Sequence, residues 1–149
     1  LYIWQKKEIE NYLLVSTVIA RAVNARLYKE DIPIDAKKVE EILNMIVESL
    51  KDRVFDLLSS ELYRQNKAAG VTKANEQARV ILSESWKTLS GRLSIIPGSE
   101  ALPLLLKFLQ DNYHVSLSKS FIAQCFDPSE IPKEVVSLLH IIENNEKFY

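Results

Sequence analysis

Residues 35–62 read DAKKVEEILNMIVESLKDRVFDLLSSEL, and this stretch decides the fold because its apolar side chains recur every three or four positions. That spacing places them on one face of a helix, while charges of both signs occupy the opposite face. Asp35 is the predicted N-cap, and we expect one helix over about 36–67. An unbroken helix of that length would be about 48 Å long, so we expect it to bend or to project as part of a hairpin.

A turn containing glycine follows this helix. Residues 68–71 predict the turn of a helical hairpin, with Gly70 in the left-handed backbone conformation. Thr72 is the expected cap of the returning helix, which would run from Lys73 to about Leu89. The large side chain of Trp86 would pack this helix against the first one.

The sequence on either side of the hairpin predicts further helices and two short strands. Leu1–Gln5, which contains β-favouring residues, is the first strand candidate, and Arg92–Ile96, which Pro97 and Gly98 close, is the second. The expected helices are Thr17–Lys29, Ser99 (as its cap) to about Asn112, a short helix capped by Ser118, and Lys133–Glu143. The fold class is therefore predicted to be mainly α, with a long helical hairpin and one or two short strands.

Composition narrows the function classes. The chain has 149 residues, a net charge of −1, three glycines and one cysteine. A net charge near zero argues against nucleic-acid binding through an overall positive charge. Because Cys125 is the only cysteine, an internal disulfide is excluded. No apolar run reaches the roughly 18 residues of a membrane span, and no signal peptide pattern is present, so we expect a cytoplasmic protein. Because the chain starts at Leu1, we also expect it to be a piece of a longer one.

Two carboxylates lie two residues apart in residues 4–14, WQKKEIENYLL. In a strand, the side chains of Glu8 and Glu10 would share a face and could bind one divalent cation, whereas in a helix they would lie about 200° apart. The sequence leaves both geometries open, and solvated charge is the commoner role of such a pair. His114, His140 and Cys125 lack the spacing of a metal or catalytic site.

Residues 4–14 are similar to a segment of the OLD (overcoming lysogenization defect) family of ATP-dependent endonucleases, most closely over EIENYLL. The downstream segments that resemble the closing part of the same family are 96–100, 109–113, 115–118 and 130–134. In that family an ATPase domain precedes a Toprim nuclease region, which holds divalent metal with several acidic residues and cuts DNA.

The resemblance implies that Glu10 is a catalytic metal ligand for Mg²⁺ or Mn²⁺ and that Glu8 is a neighbouring ligand. Ser99 stands where the family pattern has a lysine, so contacts to DNA phosphate would come from the residues Lys6, Lys7, Ser99 and Lys107. The other acidic residues of a Toprim site are not in this sequence. We therefore expect the chain to be inactive alone.

Under this resemblance the chain divides into two regions. Residues 1–31 would be the terminal strand and helices of a Toprim-like α/β sheet, and residues 32–149 a helical C-terminal subdomain. That subdomain, with its hairpin over 35–89 and closing elements over 92–149, would contact DNA or mediate homodimerisation. The upstream ATPase domain would bind ATP, and the parent would act in bacterial defence. The alternative is a non-catalytic helical module for protein interaction or oligomerisation.

Overall fold

The structure, a computed structural model, describes residues 6–143, without the side chains of residues 138, 141 and 142. Within these limits it contains α helices and 3₁₀ helices and no strand, so the mainly α prediction is confirmed. The helices are α1 (Ser16–Asn24), α2 (Ala36–Ser49), α3 (Lys51–Gln65), α4 (Gly70–Ser85), α5 (Leu89–Ile95), α6 (Gly98–Tyr113), α7 (Lys119–Gln124) and α8 (Lys133–Glu143). The 3₁₀ helices are Ile9–Leu13, Lys67–Ala69 and Pro128–Glu130.

The predicted helix over 36–67 is two helices, because the chain bends at Leu50. The Leu50 backbone leaves helical geometry (φ −96°, ψ 1°), and its N–H bonds to the Val47 carbonyl in a tighter turn. Just before the bend, the Ser49 hydroxyl donates to the Ile46 carbonyl at 2.6 Å, a back-bond that perturbs helices. At the other end Asp35 caps α2 as predicted, accepting from the Lys38 N–H at 2.8 Å.

Helices α3 and α4 pack against each other as the expected hairpin; their buried residues are Val54, Ala74 and Ala78, and the Ser59 hydroxyl donates to the Asn75 side chain across the pair. Gly70 has φ +82° and ψ 164°, a conformation that essentially only glycine adopts. It is the first residue of α4, so the prediction that Thr72 caps the returning helix is wrong.

The large side chain at the end of α4 packs as predicted. The Trp86 indole N–H donates to the Glu48 carboxylate at 2.9 Å, and the Lys51 ammonium lies 5.6 Å from the ring centroid. These contacts tie the base of the hairpin to α2 and to the bend that follows it.

The strand predicted over residues 92–96 is wrong, because this segment belongs to α5. Thr88 caps the helix by accepting from the Gly91 N–H at 3.0 Å, and Leu89, Leu93 and Ile96 then recur at helical spacing. A strand also needs a partner for its backbone groups, and residues 6–143 supply none. The other predicted strand, Leu1–Gln5, lies outside the described residues.

The core lies between α1, α2, α5 and α6, with α7 closing one side. Its largest side chains are almost fully buried: Val18, Ile19, Val23, Val39, Leu43, Val47, Ile96, Leu102, Leu105, Leu109 and Ile122. The α6 stripe of Leu102, Leu105 and Leu109 follows the predicted spacing of three and four.

Two neighbouring leucines of α6 test this core. Leu105 is fully buried, whereas Leu104 is 41% exposed. We expect Leu105→Ala to lower the free energy of unfolding by about 2–5 kcal/mol, because it leaves a cavity among packed side chains. Leu104→Ala is the matched control and should change it by less than about 1 kcal/mol. Urea unfolding followed by circular dichroism measures both, and equal losses would contradict the packing described above.

Candidate functional site

The 3₁₀ helix Ile9–Leu13 lies at the centre of the candidate site, and Asn11 is its buried polar residue. The Asn11 side chain has no exposed surface, and its Nδ2 donates to the Leu93 carbonyl at 2.8 Å and to the Ile96 carbonyl at 2.9 Å. Leu93 would normally bond to the N–H four residues later, but that residue is Pro97, which has none. Asn11 therefore caps the carboxyl end of α5 from a distant part of the chain.

Gly98 leaves room for the Asn11 amide beside the start of α6 because it has no side chain. A Cβ atom at residue 98 would lie 2.3 Å from Asn11 Oδ1, 2.8 Å from Asn11 N and 2.9 Å from Glu10 Cβ. No side chain fits there without moving the backbone of residues 10–11. Residues 8–11 and 96–99 are thus in direct contact.

Glu8 binds the amino end of α6. Its Oε2 accepts from the Ser99 N–H at 2.6 Å, while the neighbouring Lys7 N–H donates to the Ser94 carbonyl at 3.1 Å. A carboxylate here satisfies an orphan N–H group and complements the helix dipole. Because α6 begins at Gly98 with no side-chain bond from its own N-cap, the predicted capping role of Ser99 is wrong.

Glu10 faces a different helix. Its Oε1 accepts from the Lys119 ammonium at 2.9 Å, at the start of α7, which Ser118 caps as predicted. The Lys119 hydrogen bond holds the pKa of the Glu10 carboxyl below its usual value. Backbone geometry changes between the two glutamates: Glu8 is extended, and Glu10 lies in the 3₁₀ helix.

The predicted lysine contacts fall into two groups. Lys6 turns inward: its ammonium donates to the Asn11 carbonyl at 3.1 Å and lies 5.1 Å from the Tyr12 ring centroid. Burial lowers the pKa of Lys6, and the nearby Glu134 carboxylate partly opposes this shift. Lys7 and Lys107 are exposed, and Lys107 lies about 12 Å along α6 from Ser99.

These residues do not by themselves fit a divalent metal. Mg²⁺ requires near-octahedral oxygen ligands, and no group of three or more His, Cys, Asp or Glu side chains within the described part of the chain could hold a metal ion. Glu8 and Glu10 are each bound to a different partner.

A second charged cluster joins residues 125–130 to α1. The Arg21 guanidinium contacts Glu130 at 2.8 Å and Asp127 at 3.2 Å, and also donates to the Cys125 carbonyl. The Arg21 hydrogen bond, with help from the Asp127 backbone N–H, lowers the pKa of Glu130 to about 2. Residues 125–130 are therefore held against α1 by charge as well as by packing.

The sequence interpretation missed the partners of both glutamates. Asn11, Gly98 and Lys119 were not singled out, although Asn11 stands out as an amide among the apolar residues of its turn. The contacts that define their roles span 82 to 109 residues of sequence. No local pattern encodes such pairs.

Comparison with known proteins gives no relative: no protein-family model, curated protein or solved structure matches the chain. In the part of the chain that the structure describes, none of the helices combines the length and apolar character that crossing a bilayer requires.

Substitution of Asn11 tests the central hydrogen bonds. Asn11→Ala leaves two buried carbonyls without their donor, and we expect a loss of about 1–3 kcal/mol for each in the free energy of unfolding. Asn112→Ala is the control, because the Asn112 amide is exposed and bonds only within its own helix. Urea unfolding of both variants gives the comparison, and an Asn11→Ala protein as stable as the control would refute the capping role.

The Glu130 carboxylate predicts a pH dependence of stability. Its pKa falls from an ordinary value of 4.5 to about 2 in the folded chain, so its contribution is present above pH 4.5 and is lost as the pH falls toward 2. Glu130→Gln should therefore lower the melting temperature at neutral pH, with the difference from the parent chain closing in that window. Glu76→Gln, at an exposed glutamate, should show no such convergence. Melting curves between pH 2 and pH 7 provide the measurement.

Proposed function

We propose that the chain is the carboxy-terminal part of an OLD-type, ATP-linked Toprim DNA endonuclease of bacterial defence. The observation that carries this proposal is the contact between residues 4–14 and 96–100, since both segments resemble that family and Glu10 lies at their junction. A shared site explains why two segments more than 80 residues apart would resemble one family together.

In this proposal Glu10 is the ligand that the chain supplies to a Mg²⁺ or Mn²⁺ site, and the remaining ligands come from outside the described residues. The Lys119 ammonium that now neutralises Glu10 is 54% exposed, so a metal cation can replace it without uncovering a buried charge. Glu8 has a structural role instead, because its carboxylate accepts a hydrogen bond from the Ser99 N–H at the amino end of α6. Glu8 thus orients the turn that carries Glu10.

Fewer residues are proposed to contact DNA than the sequence suggested. Lys7 and Lys107 are exposed and can neutralise backbone phosphates without breaking an internal bond. The Lys6 ammonium and the Ser99 N–H already bond within the chain, to the Asn11 carbonyl and to Glu8. We therefore assign phosphate contact to Lys7 and Lys107 only, with ATP hydrolysis left to the upstream domain.

The test uses the intact parent nuclease and two variants that break the same ion pair. Glu10→Gln removes the carboxylate, and we expect Mg²⁺- or Mn²⁺-dependent plasmid cleavage to fall by more than the roughly 10–100-fold seen when a neighbour of a metal ligand is changed. Lys119→Met removes the cation but keeps the carboxylate, so cleavage should persist. Equal losses in the two variants would assign Glu10 a structural role and defeat the proposal.

A second candidate function, a helical interaction module, is favoured by the apolar surface of the hairpin. Val71 and Val80 on α4 are 56% and 63% exposed, and Val80 and Ile81 line an open groove of about 400 Å³ with Leu62. Cleavage that survives Glu10→Gln, together with a dimer that Val80→Glu converts to a monomer, would favour this alternative.

A further inference from the structure

A basic pocket lies at the base of the hairpin, between the start of α3 and the end of α4. Its volume is about 380 Å³, within the range of roughly 300–1,000 Å³ that small-molecule sites span. No carboxylate from the described part of the chain lines it, so its lining is positive although the whole chain has a net charge of −1. The lining combines three cations, an aromatic ring, an aliphatic side chain and a hydroxyl: Lys51, Arg79, Lys87, Trp86, Leu82 and Ser83.

Arg79 is the cation most available to an anion. Its guanidinium lies 5.9 Å from the Phe55 ring centroid and forms no hydrogen bond or ion pair within the described part of the chain. The two lysines are weakly held: the Lys51 ammonium lies 3.6 Å from a Glu48 oxygen, and Lys87 pairs with an exposed glutamate three residues earlier. Because exposed ion pairs contribute little to stability, an incoming anion can compete for both lysines.

The Trp86 ring gives this pocket a fixed surface for a planar group. The hydrogen bond from its indole N–H to Glu48 sets the orientation of the ring, and Leu82 adds an apolar contact one turn earlier. Nucleobases stack on such rings with little preference for one base, since every base has a π face. Arginine, in turn, matches phosphate with a planar fork of donors.

We propose that this pocket binds a nucleotide unit: the base stacks on Trp86, while Arg79 and the two lysines hold the phosphate. A free nucleoside phosphate and a single nucleic-acid strand both present this chemistry. Apart from the Ser83 hydroxyl, the polar groups of the lining are cations suited to phosphate, so discrimination between bases is weak. The pocket shares no residue with the site around Glu10 or with the lysines assigned to DNA phosphate above. The inference is therefore independent of the proposed nuclease function.

Binding of a labelled single-stranded oligodeoxyadenylate, followed by fluorescence anisotropy without divalent metal, tests the phosphate contact. Arg79→Gln should weaken binding about 10-fold or more, because charge-assisted hydrogen bonds are lost. Arg64→Gln makes the same change at an exposed arginine that lies about 20 Å along α3 from Lys51. At that distance salt screens the charge, so the affinity should stay within about 2-fold of the parent value.

Two changes of Trp86 test the stacking contact. Trp86→Leu removes the ring and should weaken binding about 5-fold or more, whereas Trp86→Phe keeps an aromatic face and should retain most of the affinity. Circular dichroism of both variants before titration checks that the helices are intact. Equal losses in the two folded variants would show that no base stacks on this ring and would overturn the proposal.

Measurements on the unsubstituted chain distinguish the two sources of the nucleotide unit. Calorimetric binding of deoxyadenosine monophosphate that matches the strand in affinity would assign the pocket to a free nucleoside phosphate, and binding of the strand alone would assign it to nucleic acid. Inorganic phosphate that competes as well as the nucleotide, or a duplex that binds as tightly as the single strand, would overturn the proposal. So would the failure of both probes to bind, or equal losses in Arg79→Gln and Arg64→Gln.

Discussion

The buried amide of Asn11 is the interaction on which the arrangement around residues 6–14 depends. An amide taken out of water costs free energy unless its hydrogen bonds are replaced. Asn11 Nδ2 donates to the Leu93 and Ile96 carbonyls, whereas Asn11 Oδ1 is buried with no hydrogen-bond partner among the described residues. Those carbonyls need an outside donor because Pro97 ends α5. The Asn11 NH₂ group and the two carbonyls at the end of α5 thus satisfy each other across a long stretch of sequence, and the missing side chain of Gly98 leaves the space for the amide.

Once Asn11 is fixed, its neighbours are directed to different helices. Glu8 reaches the amino end of α6, Glu10 reaches α7, and the Tyr12 hydroxyl donates to Glu134 on α8. Exposed ion pairs contribute little to stability, so the apolar core supplies most of it and the polar contacts set the register of these helices. The five-residue 3₁₀ helix and the Glu8 that precedes it therefore orient three α helices.

How far the sequence could predict this structure depends on how local each signal is. The period of apolar residues identified the α2–α3–α4 region, and the caps Asp35 and Ser118 act within three residues of themselves. The prediction failed where local preference competes with context. Ile95 and Ile96 favour strands, but the Thr88 cap and the packing of the segment into the core make it helical. The break at Leu50 likewise leaves the apolar period intact.

At the site, the sequence identified both Glu8 and Glu10 as candidate metal ligands, and only the fold shows that the two carboxylates have different partners. A bond from a charged carboxylate to a backbone N–H contributes about 1.5–3 kcal/mol, and the helix dipole at α6 adds to it for Glu8. A surface ion pair such as that of Glu10 contributes about 0–1 kcal/mol. If Glu8 bound a cation, the amino end of α6 would lose its cap. If Glu10 bound a cation, it would lose only its ion pair with Lys119, and the bound cation would take the place of the ammonium. If either carboxylate serves a metal, the fold therefore favours Glu10.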